Sequence, residues 1–222
     1  MSQASNKKRY IPALSFRWLT PLYDPLLKWV MREETFKRKL VQQANIQPKM
    51  KVLDLGCGTG TLTLMLKRAH PEAEVTGLDG DPQVLAIARD KYHKGTMPRG
   101  TDIQWDEGLA SSLPYPDSTF DRVVTSLVIH HLVTDDKRRA FKEIYRVLKP
   151  NGELHVLDFG APHSSLTRFM AKYMRRLEEA ADNFDGLIPR FMSEAGFGSV
   201  IEAENFVTLF GPLSLWRAVK GD

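Results

Sequence analysis

The nine residues Val52-Leu53-Asp54-Leu55-Gly56-Cys57-Gly58-Thr59-Gly60 constrain this chain more than any other stretch. A short apolar run carrying an acid passes into a turn with glycine at every second position. Three glycines so spaced let backbone approach a ligand with no Cβ in the way. A strand before the turn and a helix after it place the stretch at the carboxyl edge of an open α/β sheet, where ligands bind. A dinucleotide fingerprint would need G-x-G-x-x-G, its third glycine packing helix on strand. Thr61 holds that place here, and the third glycine comes one residue early. A βα turn with no ligand would leave the glycine density unexplained.

From residue 50 onward, strand-like and helix-like segments alternate, which argues a mainly parallel sheet with helices on both faces. Strands are predicted at 51–55, 74–78, 102–105, 121–127 and 153–158, with a final pair at 199–209 and 213–219 joined through Gly211-Pro212. A first helix starts near Gly60, and a second runs from Pro82, a favoured first-turn residue, to about Tyr92. A third is opened by a Thr134-Asp135-Asp136 capping cluster and ends at the turn Lys149-Pro150-Asn151-Gly152. The segment 164–181 reads as a helix with Leu166, Phe169, Met170, Tyr173, Met174 and Leu177 on its apolar stripe, and 188–195 as a shorter one. Residues 1–47 form an expected N-terminal helical cap, whose helix at 32–45 carries Phe36, Leu40, Val41 and Ala44 at helical spacing. Residues 48–222 form the expected ligand-binding domain.

The nine-residue string resembles motif I of class I S-adenosylmethionine (SAM)-dependent methyltransferases, matching their strand-acid-G-x-G-x-G pattern throughout. The segment Gly108-Leu109-Ala110-Ser111-Ser112-Leu113-Pro114-Tyr115-Pro116-Asp117-Ser118-Thr119-Phe120-Asp121 is similar to the G-D-A-x-x-L-P-F-x-D-x-x-F-D run of the type 11, ubiquinone/menaquinone C-methyltransferase-like branch. The resemblance covers residues 48–160 tightly, and more loosely Leu22-Tyr23-Asp24 in the cap. It implies a Rossmann-like seven-stranded sheet, mainly parallel with one antiparallel strand. It also implies a cytoplasmic enzyme that moves a methyl group from SAM to a small, lipophilic, quinone- or lipid-like acceptor, releasing S-adenosyl-L-homocysteine. Two departures stand out. Leu109 replaces the acid or amide that borders the adenine in that branch, and His130-His131 replaces Arg-Asn.

The cofactor residues so implied are Asp54, Gly56, Cys57, Gly58, Gly60, Asp79, Gly80, Leu109, Ala110, Ser126, His131 and Tyr23. Asp79, at the end of the second strand, can accept hydrogen bonds from both hydroxyls of a ribose. Asp81 is better placed to cap the helix that follows. Cys57 meets a requirement for a small residue. His131, Tyr23 and Asp24 are the catalytic candidates, needed as bases only if the acceptor must lose a proton. Tyr23 has a second reading as a packing residue of the cap, and each histidine has one as a packed or capping side chain. Adjacent histidines with no Cys or acid at ligand spacing make no metal site.

Composition narrows the rivals. The single cysteine rules out an internal disulfide, and no apolar run approaches the roughly 18 residues of a membrane span. Residues 1–51 hold 11 Lys/Arg against 3 Asp/Glu, whereas the remainder holds 20 against 24. The basic part also carries Tyr10, Phe16, Trp18, Tyr23, Trp29 and Phe36, a pairing that suits an anionic membrane surface; the plainer reading is aromatics packed on the main domain. No RNA-binding module is visible, so nucleic acid is not an expected partner. A non-catalytic SAM-binding module and an NAD-linked oxidoreductase are the competing functions, and the displaced third glycine argues against the second.

Overall fold

The computed structural model describes residues 33–95, 101–174, 179–208 and 211–222. Among them runs α1 (Glu33–Gln43), β1 (Lys51–Leu55), α2 (Thr61–Ala69), β2 (Glu74–Asp79), α3 (Pro82–Lys94), β3 (Ile103–Glu107) and β4 (Phe120–Ser126). A 3₁₀ turn (Ile129–His131) follows, then α4 (Thr134–Val147), β5 (Leu148–Phe159), α5 (Ser165–Met174), α6 (Ala181–Phe184), α7 (Ile188–Glu194), β6 (Ser199–Thr208) and β7 (Gly211–Val219). The seven strands form one sheet in the order β3-β2-β1-β4-β5-β7-β6. All pairs are parallel except those that β7 makes with β5 and β6. This is the expected class I methyltransferase sheet.

Strand alternation explains how both faces are filled, because successive side chains point to opposite sides. Val52, Val124, Leu157 and Leu215 join the cluster beneath α1 and α2. Their neighbours Leu53, Val123, Val156 and Trp216 join the cluster beneath α4 and α7. Helix α1 belongs to the first cluster through Phe36, Leu40 and Val41, with Ala44 just past its end, all buried. The order of the strands reverses between β1 and β4, so the loops after these two strands diverge and open a crevice between them.

Four local expectations are corrected. Strand β3 continues to Glu107 because it pairs with β2 up to Asp79. The Lys149–Gly152 turn exists, but as an excursion inside β5: Phe120 pairs with Leu148 and Arg122 with Glu153. Asn151, at φ 61°, turns the chain there, and its N–H donates to the Lys220 carbonyl. Helix α4 has no side-chain cap; Thr134 instead donates its hydroxyl to Asp182, tying α4 to α6. On α5, Leu166 and Phe169 of the predicted stripe face outward, 63% and 61% exposed. The small side chains Thr167 and Ala171 face the sheet. Reciprocal hydrogen bonds between Ser164 and Thr167 fix the start of this helix and hence its rotation.

Candidate active site

The glycine turn crosses the carboxyl end of β2. Gly56 and Cys57 both donate their N–H to the Leu78 carbonyl, at 2.8 and 2.9 Å. Gly56, Gly58 and Gly60 sit at φ 69°, 54° and 78°, a region that costs other residues about 1–2 kcal/mol each. A Cβ on Gly56 would fall 2.4 Å from the Val128 side chain. A Cβ on Gly58 would meet nothing within 4 Å. The chain therefore keeps a bare backbone beside open space at Gly58.

Two carboxylates flank this space. Asp54 is 1% exposed and accepts a 2.6 Å hydrogen bond from the Thr63 hydroxyl. Burial pushes its pKa up to about 6, against the opposing pull of Thr63 and Lys37, and Asp79 adds to the rise. Asp79 accepts from Gly58 N at 2.9 Å and from Asp81 N at 3.0 Å, yet burial still holds its carboxyl above the usual range. Each of its oxygens keeps further acceptor capacity. Asp81 caps α3 by accepting from Gln83 N. The Cys57 thiol is pushed far up, by burial first and then by Asp54 and Asp79. It stays protonated and is no nucleophile.

The loop from β3 to β4 closes one side. Gly108 N donates to the Asp79 carbonyl, and Leu109 and Ser112 form a bridge that turns the chain back. Arg146 of α4 donates to the Leu113 and Tyr115 carbonyls and pairs with Asp117 and Glu143, which holds the rest of the loop. Asp106 accepts from the Tyr115 hydroxyl at 2.9 Å and from Gln104 at 2.8 Å. It is thus already engaged and does not stand in for the acid that Leu109 replaces. Trp105 packs its ring against Gly60 and Gly77, and its indole N–H is buried with no hydrogen-bond partner among the described residues.

The other side is built by the ends of β4 and β5. Ser126 closes β4 with its hydroxyl buried and without a partner among the described residues. Leu127 follows at φ 59°, a conformation a branched side chain adopts only under constraint. Asp158, fully buried on β5, supplies that constraint. It accepts from Val128 N (3.0 Å), Ile129 N (2.8 Å), Phe159 N (2.7 Å) and the Asn183 amide (3.3 Å), and meets His130 Nδ1 at 2.8 Å. Burial alone would raise its pKa, but His130 and then Phe159 N and His131 hold it below the usual range. The His130 ring is buried, while His131, half-buried, lies against it with ring centroids 4.0 Å apart.

The glycine turn, Asp54, Asp79, Gly80, Leu109, Ala110, Ser126 and His131 all lie at the carboxyl edge of the sheet, on the loops around β1, β2, β3 and β4. Tyr23 and Asp24 lie outside the described residues. Sequence reasoning passed over Asp158, although an acid ending an apolar strand is the signal that marked Asp79. A cavity of about 660 Å³, lined by Lys51, Lys67, Glu74, Gln104 and Tyr115 among others, opens near the amino ends of β1 and β2, away from these groups. Among the described residues no cluster of His, Cys, Asp or Glu could hold a metal, and no helix is long and apolar enough to cross a membrane.

A family model described as a methyltransferase domain matches residues 52–152. A demethylmenaquinone methyltransferase of Thermus thermophilus is 38% identical over 149 residues, covering 66% of this chain and 65% of that protein. A chloroplastic 2-phytyl-1,4-beta-naphthoquinone methyltransferase of Arabidopsis thaliana is 33% identical over 175 residues, covering 78% and 65%. The chain thus spans about two thirds, 65%, of the length of these two relatives. Among solved structures, phosphoethanolamine N-methyltransferase 2 of Haemonchus contortus superposes with a TM-score of 0.74 at 18% identity, covering 96% of this chain and 62% of that one. At that identity the likeness speaks for the fold alone.

Proposed function

This chain belongs to the class I SAM-dependent methyltransferases, and on that premise we propose that it is an enzyme that methylates a small, lipophilic acceptor of quinone type. The observation that carries the reading is the pair of acids at the glycine turn, half-buried Asp79 on the bare Gly58 backbone and buried Asp54 behind it. Burial holds both above the ordinary carboxylate range although each already accepts hydrogen bonds, and SAM is a cation with a ribose diol. The residues present fit it. Asp79 has acceptor capacity for two hydroxyls, the open side of Gly58 leaves room for a ligand, and the orphaned Ser126 hydroxyl awaits a polar group. We assign Asp54, Gly56, Cys57, Gly58, Gly60, Asp79, Gly80, Leu109, Ala110 and Ser126 to the cofactor, together with His131 and Tyr23. The quinone class rests on the names of the two bacterial and plant relatives.

When bound, SAM supplies an electrophilic methyl on a positively charged sulfur and departs as a neutral thioether. The chain's own work is then alignment, which can supply roughly 7–11 kcal/mol of a barrier. The acceptor atom gives the electron pair of the new bond, and the proton it loses passes to a nearby base. His131 is our candidate for that base, with Tyr23 and Asp24 as the other catalytic candidates. A lipophilic acceptor resides in a membrane, and the basic, aromatic residues 1–30 are the proposed peripheral contact on its cytoplasmic side.

Calorimetry with SAM, S-adenosyl-L-homocysteine and NAD tests the cofactor. Micromolar binding of both sulfur compounds is expected; binding of neither would end the proposal. A screen with labelled SAM and reduced, unmethylated naphthoquinols tests the acceptor, and transfer only to water-soluble acceptors would overturn the quinone class. Co-sedimentation with anionic vesicles, with and without residues 1–30, tests the membrane contact, and equal sedimentation would remove it.

A further inference from the structure

We propose that Asp158 is a positioning residue for the two-histidine turn, fixing the tautomer and orientation of His130 and, through the contact between the two rings, the placement of His131. The proposal rests on the reading of this site as one that transfers a methyl group and must dispose of a proton.

The geometry is unambiguous about the donor. Three backbone N–H groups already donate to Asp158, so it acts there as a carboxylate, which only accepts. The 2.8 Å contact with His130 therefore has the imidazole donating from Nδ1, which leaves the lone pair of the neutral ring on Nε2. A carboxylate buried behind an imidazole selects its tautomer and stabilises the imidazolium form. The same carboxylate binds Val128 N and Ile129 N, the two amides that lead into the turn. It thus sets the backbone and the first ring together. His130 is wedged further by Phe159, 4.8 Å away edge-to-face, and His131 lies on its other side. Asn183 of α6 donates to Asp158 and to the Phe159 carbonyl, holding the carboxylate from behind. A residue that only closed the turn would need the two amides and no imidazole.

Two variants separate positioning from mere support. Asp158→Asn preserves shape and can still accept, but its amide can also donate to Nδ1 and so release the proton to Nε2. Two-bond proton–nitrogen spectra of the full chain should read His130 as Nδ1–H in the parent and shifted toward Nε2–H in the variant. SAM affinity by calorimetry should stay within about twofold, while turnover falls about 100-fold, the scale of acid–base assistance. His130→Asn keeps an amide donor for Asp158 and removes the imidazole; it should fold, bind SAM and lose turnover to the same extent. Parental turnover in His130→Asn, or an unshifted His130 spectrum in Asp158→Asn, would overturn the proposal. If the parent binds SAM yet methylates no acceptor, the proposed function fails, and the spectrum still decides whether Asp158 selects the tautomer.

Discussion

Asp54 and Asp79 on one side of the crevice, and Asp158 on the other, are acids at the carboxyl ends of β1, β2 and β5. The first and last are buried and Asp79 is half-buried, and their pKa values shift in opposite directions. The first two are raised and the third is lowered. Burial pushes all three the same way, so the difference lies in their partners. Asp158 has an imidazole, an amide side chain and three backbone N–H groups to itself. Asp79 has the backbone N–H groups of Gly58, Gly80 and Asp81, no side-chain donor among the described residues, and a neighbouring acid, Asp81. A desolvated charge without a counterpart is costly to the empty protein. One half of the crevice is complete within the chain, and on the proposed reading the other is completed by what it binds.

That contrast can be broken by substitution, and the largest effect is expected at Asp158. Asp158→Ala strands His130 and two turn amides and should cost about 3–5 kcal/mol, the loss seen when one partner of a buried pair is removed. Urea denaturation measures it, and a loss below about 1 kcal/mol would erase the distinction. Asp79→Ala should scarcely touch stability but weaken SAM binding about 100-fold or more, since each hydrogen bond to a charged group is worth about 1.5–3 kcal/mol. Unchanged affinity in calorimetry would refute the ribose role.

Asp54 carries the pH dependence. Its pKa is raised from 3.8 to about 6 in the folded chain, so between these values the folded state holds a proton that the unfolded state has released. Stability therefore falls as pH rises through this window, by up to about 3 kcal/mol. Asp54→Asn should flatten that slope and stabilise the ligand-free protein at pH 8; a slope that persists would locate the effect elsewhere. The smallest effect belongs to Leu166→Ser on the outward face of α5, expected within about 0.5 kcal/mol of the parent by the same denaturation.

The half that binds a ligand was far more legible in the sequence than the self-contained half. Gly56, Gly58 and Gly60 show what backbone conformation demands, and Asp79 with Asp81 follows from strand and helix ends. These are local rules, and the mainly parallel sheet built on them follows from strand–helix alternation. Asp158 was hidden because its five partners come from β4's loop, β5 itself and Asn183, none of them adjacent in a sequence pattern apart from Phe159. The family pattern alone places His131 ahead of His130, and the inward turn of the His130 ring was hidden for the same reason: it depends on a carboxylate 28 residues away. On α5, Leu166 and Phe169 share one apolar row while Met170 and Ala171 offer another. Periodicity reveals an amphipathic helix but not which of two apolar rows the sheet accepts.

The position of β7 has a consequence for how the chain is made. It follows β6 in sequence, yet it lies between β5 and β6, the only strand that joins them. As a nascent chain emerges at about 5–20 residues per second, β6 is produced before it has anything to pair with, and the edge of β5 stays open meanwhile. Everything from the glycine turn to Asp158 is already out by then. The binding crevice can thus assemble around β1 to β5 while one open sheet edge waits, an interval in which a holding chaperone or an early ligand would shift the balance between folding and aggregation.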